Sequence, residues 1–200
     1  MRKTYITNIS LQAKGDLLKL LYEPNGFVLE HNRETGFPII PVIAEHQEQG
    51  DEVTVLAVRT NNADTPDNYK AFVNELAELG IGEDAVKVIT MVEDQSGALD
   101  LKLLARIIEE IPDESLVYGD ITFGTKPMSA ILLYALNFIP KIKNCDVDGI
   151  YYGEIRREGG KMTHAFLYDL TIFHLLGDVI DQMQGLGIGE MQGALKKFIL

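Results

Sequence analysis

The alternation of strand-like with helix-like segments constrains this chain more than any other feature. Apolar, β-branched runs at 3–11, 51–61, 86–92 and 116–121 read as buried strands. Between them lie stretches with helical spacing. Tyr69, Phe72, Val73, Leu76 and Leu79 recur on one face, opened by Thr65 and Pro66 and stopped by Gly80. Leu103, Leu104, Ile107, Ile108 and Ile111 form a second stripe, opposite Lys102, Arg106, Glu109 and Glu110. Residues 128–139 form a third, almost wholly apolar helix. Strands that alternate with helices build a parallel sheet covered on both faces. The expectation is an α/β, Rossmann-like, doubly wound, mostly parallel sheet.

Two stretches depart from that rhythm. After the first strand, Pro24-Asn25-Gly26 and 33–36 mark turns before a helix ending near Gly50. Towards the end, 149–157 and 161–170 flank Gly159-Gly160, a pair suited to a tight turn, and predict a C-terminal β-hairpin that adds an antiparallel edge. Terminal helices follow, the first with Ile172, Phe173, Leu176, Val179, Ile180 and Met183 on one face. No repeat or linker interrupts the pattern, so 1–200 reads as a single domain.

Charge narrows the choice of partner. The chain carries 18 Lys and Arg against 30 Asp and Glu, a net charge of −12, which disfavours groove-tracking binding to long nucleic acid. An anionic ligand must then be small and held by backbone N–H groups with very few cations. The lone Cys145 excludes an internal disulfide, the N-terminus shows no signal-peptide pattern, and no apolar run reaches membrane-spanning length. These features lead to the expectation of a cytoplasmic protein. No His, Cys, Asp and Glu spacing marks a metal or cofactor site. His31, His46, His164 and His174 are scattered with no triad spacing, and surface or capping roles are expected of them. No catalytic residue is assigned.

In a doubly wound sheet, ligands bind beyond the C-terminal ends of the strands. The positions to interrogate are 8–11, 59–62, 93–96 and 120–126. The last is the most informative: a buried strand delivers Asp120, Thr122 offers a hydroxyl, Gly124 permits close backbone approach, and Thr125, Lys126 and Pro127 open a helix. A helix N-terminus carries about half a positive charge and Lys126 adds a full one, which suits a phosphate or phosphodiester. Neither a Walker motif nor a Gly-x-Gly-x-x-Gly follows any strand. An ordinary strand-to-helix turn, with Asp120 capping backbone and Lys126 solvated, is the plainer reading of the same residues.

The run 117–128, Val-Tyr-Gly-Asp-Ile-Thr-Phe-Gly-Thr-Lys-Pro-Met, resembles the Asp-x-Thr-His-Gly-Phe-Arg-x-x-Pro signature of one branch of CARF (CRISPR-associated Rossmann fold) domains, of the Csm/Csx type. The segments 149–154 and 168–171 are similar to the same branch. Phe123, Thr125 and Lys126 stand where that branch has His, Phe and Arg, so the charge is kept and the bidentate fork is not. The resemblance implies a regulatory sensor of type III CRISPR antiviral defence. A homodimer would hold a ring of four or six adenylates across its two-fold axis and relay binding to an effector domain outside these residues. An even ring matches an isologous interface. Carried over by position, Thr122, Gly124, Thr125 and Lys126 would contact ribose and phosphate beside Asp120, and Asn8 and Ser10 would line the pocket. The alternative is a metal-independent ring nuclease in the same pocket. A third reading is an unrelated Rossmann-like module that binds an ordinary nucleotide or only dimerises. Tyr151 and Tyr152 could stack on adenines, though alternation puts at least one of them in the core.

Overall fold

The computed structural model describes residues 1–13, 17–61, 65–91, 97–159 and 161–199. In chain order its elements are β1 (Arg2–Asn8), β2 (Leu20–Leu21), β3 (Glu23–Asn25), β4 (Glu34–Thr35), α1 (Ile39–His46), β5 (Glu52–Thr60) and α2 (Thr65–Glu78). They continue with β6 (Val86–Met91), α3 (Gly97–Glu110), β7 (Leu116–Asp120), α4 (Lys126–Ile142), β8 (Asp146–Glu158), β9 (Lys161–Asp169), α5 (Thr171–Gln182) and α6 (Ile188–Ile199). A seven-stranded sheet has the order β3-β9-β8-β7-β1-β5-β6. Within it β6, β5, β1, β7 and β8 are mutually parallel. Among the parallel strands from β1 to β8, the chain works outward from β1 through β5 to β6, then returns to the other side of β1 at β7. This is the α/β, Rossmann-like, doubly wound sheet with a topological switch between β1 and β7.

The switch follows from which helices each strand face buries. In β5, Val55 and Ala57 pack in one apolar cluster with Ile40, Ile43, Phe72 and Leu76 from α1 and α2. The intervening Leu56 and Val58 pack in the other, with Ile107, Met128, Leu132 and Leu136 from α3 and α4. Both faces of the central strands are buried, so they read as continuous apolar runs. In α1, Ile39, Ile40, Pro41, Val42 and Ile43 are all buried, and Pro41 falls in the first turn, where its missing N–H leaves no bond unmade. Among the described residues no helix is long and apolar enough to cross a membrane.

Some boundaries differ from the expectation. β1 ends at Asn8 instead of residue 11, because after Ile9 donates to Val58 O (2.7 Å) the chain leaves the sheet. α1 closes at His46, four residues before Gly50, whose φ of +95° belongs to the following turn. The β8–β9 hairpin is antiparallel as expected, but it is not the edge: β3 pairs with β9 outside it. His174 is buried, with Nδ1 3.3 Å from Asn137 Oδ1 and Nε2 3.6 Å from Asp178. It joins α5 to α4 and holds no surface or capping role.

At the end of the sheet away from the switch, β1 is pinned by a buried ion pair. Lys3 Nζ lies 2.7 Å from Asp51 Oδ2, the two side chains being 6% and 5% exposed. Lys3 also donates to His46 O, and Asp51 accepts from Glu48 N (2.9 Å) and from the amino terminus (2.9 Å). These bonds tie β1 to the end of α1 and the loop before β5.

Candidate ligand site at the topological switch

β1 and β7 lie side by side and diverge in their connections at Asn8 and Asp120, one register position apart, since Thr7 faces Asp120. Their C-terminal ends therefore open the crevice in which doubly wound sheets bind ligands. The structure brings Asn8, Asp120, Thr122 and Gly124 into one cluster here. Asp120 is fully buried. Its carboxylate accepts from Thr7 Oγ1 (2.9 Å), from Thr122 N (2.9 Å) and from the Thr122 hydroxyl. Among the described residues no cation pairs with it. Burial pushes its pKa up to about 6, against the opposing pull of the Thr122 and Thr7 hydrogen bonds. Thr122 Oγ1 in turn accepts from Gly153 N at 2.7 Å, which latches the turn to β8.

Asn8 has the opposite character. It is 1% exposed, and among the described residues neither Oδ1 nor Nδ2 has a hydrogen-bond partner. A buried amide left unpaired is costly and rare, so this one calls for an explanation. Gly124 stands over it with φ +92°, and a Cβ at that glycine would meet Asn8 Cγ and Nδ2 at 3.3 Å. Only glycine fits such a turn without strain and lets the backbone come so close.

The turn ends at α4. Thr125 is its N-cap residue in extended conformation, yet its side chain makes no capping bond, and the first turn holds no acid. Neither Thr125 nor an acid of the first turn therefore compensates the free N–H groups and the positive end of the helix dipole. Lys126 is exposed beside them. Ser129 fixes the turn from within α4, donating to Ile121 O (3.0 Å) and Phe123 O (3.3 Å).

Ser10 is buried but already engaged: its Oγ accepts from Gln12 N (3.2 Å). Arg59 lies over the Tyr69 ring at 5.1 Å and its Nε donates to Thr90 Oγ1 at 3.4 Å. Asn62 and residues 93–96 lie outside the described residues. Sequence reasoning missed Asn68, 4% exposed on α2, which clamps the chain after β1 by donating to Ser10 O (2.8 Å) and Gln12 O (2.9 Å). Its only signal was a polar residue on the inner side of a first helical turn. Thr7 and Gly153 were missed as well, since each acts through a contact distant in sequence, and so was Ser129, which acts back across the turn.

No family model matches this chain, and no curated protein matches it in sequence.

Proposed function

We propose that this domain senses a small cyclic oligoadenylate, a ring of four or six units, held at the switch point and shared between two copies of the chain. The unpartnered Asn8 amide carries the reading. An amide offers a donor and an acceptor side by side, the pattern that pairs with the N6 and N7 edge of adenine. A small outward shift of the Gly124 turn would open that amide to a base. The uncapped N-terminus of α4 and Lys126 lie next to it in sequence and supply the positive potential a phosphodiester needs, in a chain otherwise too acidic for long nucleic acid.

An exposed apolar stripe supports pairing of two copies. Tyr134, Phe138 and Ile142 recur every four residues along α4, 64%, 46% and 58% exposed, and Phe173 of α5 continues the patch. Exposed patches of this kind mark association surfaces. The same helix opens onto the ligand crevice, so a two-fold contact along it would bring two sites to bear on one symmetric ring.

Lys126→Ala tests the phosphate contact. The side chain is exposed and outside the core, so thermal unfolding should shift by less than about 0.5 kcal/mol. Affinity for cyclic tetra- or hexa-adenylate, measured by calorimetric titration, should fall about tenfold, the loss of one charge-assisted contact. Unchanged affinity would remove Lys126 from the site.

A further inference from the structure

The β8–β9 hairpin continues well past the sheet that supports it. β7 keeps register with β8 only as far as Asp120 opposite Tyr151, whereas β8 runs on to Glu158. At about 3.3 Å per residue, residues 152–158 carry the hairpin roughly 20 Å beyond the level at which β7 ends. That is the C-terminal, ligand-facing end of the parallel strands.

Alternation gives the hairpin two unlike faces. Tyr151, Ala165 and Leu167 are buried in the cluster beneath α1, with Ile155 packed against it. The other face is the one from which Ile150 packs on Met128 and Leu132 of α4. It carries Tyr152, Glu154 and Arg156 on β8, opposite Tyr168, Phe166 and His164 on β9. The two adjacent tyrosines thus have different fates: Tyr151 is 4% exposed, and Tyr152 is 38% exposed.

On that outer face the rings form a row. Tyr152 and Tyr168 stack with centroids 6.4 Å apart, Phe166 lies 6.2 Å from Tyr168, and His164 stacks on Phe166 at 5.7 Å. The Arg156 guanidinium sits 4.7 Å over the Phe166 ring. Glu154 holds the row in place, accepting from Tyr168 OH (2.7 Å) and Arg156 Nη2 (3.2 Å). The result is a fixed line of aromatic surface bearing exposed Arg156, on the same side and at the same end of the sheet as the start of α4.

We infer that this row is the base-stacking wall of the ligand site: adenine rings stack against Tyr152 and Tyr168, and Arg156 meets a phosphodiester at its far end. The occupant is an oligoadenylate because three features coincide: flat rings in series, a cation among them in a chain of net charge −12, and continuity with the switch-point crevice through the Gly153 N–Thr122 Oγ1 bond. Aromatic rings on a sheet face flanked by cations bind bases whatever the sequence, because every base has a π-face. The inference rests on the proposed oligoadenylate reading and adds to it the residues that recognise the base.

Titration of cyclic tetra-adenylate into the full chain and its Tyr152→Leu and Tyr152→Phe variants tests it, with thermal unfolding as the control for folding. The expected result is binding roughly tenfold weaker for Tyr152→Leu and near wild-type for Tyr152→Phe, since the ring and not the hydroxyl stacks. Wild-type binding that Tyr152→Leu leaves unchanged would overturn the wall and leave the switch-point reading intact. If the wild-type chain binds no ring, that reading falls. Linear tetra-adenylate then decides the wall alone: binding weakened by Tyr152→Leu upholds it, and no binding or no change overturns it.

Discussion

Asp51→Ala should destabilise the domain by about 3 kcal/mol or more, because it strands the Lys3 ammonium in a buried site. Asp51 is the principal partner of Lys3, at 2.7 Å, and both side chains are almost fully shielded from water. Glu48 Oε1 stands 3.9 Å from Lys3 Nζ, but its side chain is 83% exposed, too well hydrated to take over. The hydrogen bonds from Lys3, the amino terminus and Glu48 N hold the Asp51 carboxyl far below the usual carboxylate range. With its folded pKa depressed, Asp51 contributes stability that is present above about pH 4 and drains away as pH falls further. Thermal unfolding at neutral pH should show a drop of about 10 °C for a chain of this size. Lys3→Met added to Asp51→Ala should recover much of the loss, since a thioether chain of similar length needs no partner. A single-variant cost below about 1 kcal/mol would show that the pair does not hold the end of the sheet.

Asp120 should make the opposite contribution with pH. Its folded pKa of about 6 lies above the ordinary value near 3.9. The folded state therefore binds the proton more tightly, and the associated stability is fully present below about pH 4 and lost as pH rises through 6. Two units of difference amount to about 3 kcal/mol over the whole window, of which about half appears between pH 7.5 and pH 5. Asp120→Asn removes the titration while keeping an acceptor for Thr122 N. Its new amide can donate to Thr7 Oγ1, which then turns its own hydrogen to Asn8 O, 3.3 Å away. Urea unfolding of the two proteins should find wild type gaining on the order of 1 kcal/mol on the variant from pH 7.5 to pH 5. A difference that stays constant across that range would mean the carboxylate is not held against its own desolvation.

Much of the fold is legible in the sequence, because central strands buried on both faces and amphipathic helices each announce their period. The strands at 52–60, 86–91 and 116–120 and the hairpin about Gly159 lie within one to three residues of where the pattern puts them. The connection from β1 to α1 is not legible in the same way. β2, β3 and β4 are two or three residues long: β2 and β4 pair with each other across the loop between them, and β3 exists through β9, far along the chain. No local period can signal a partner more than a hundred residues away. At the site, the strand-end rule leads to Asn8, Asp120 and Gly124, which the fold brings close together. It cannot show that Asn8 is unpaired, that Thr122 is bonded on both sides, or that Asn68 clamps the neighbouring loop. Those are tertiary facts about donors and acceptors. Nor can alternation alone decide which of Tyr151 and Tyr152 points inward; the register with Asp120 and the close approach of Pro38 to Gly153 decide it.

Calorimetric titration of the wild-type chain with cyclic tri-, tetra- and hexa-adenylate, alongside adenosine monophosphate, tests the switch-point site most directly. The expected result is saturable binding of one ring per two chains, with the tetra- or hexa-adenylate preferred and the monophosphate far weaker. Absence of binding to every ring, or a monophosphate that binds as tightly as any of them, would contradict it.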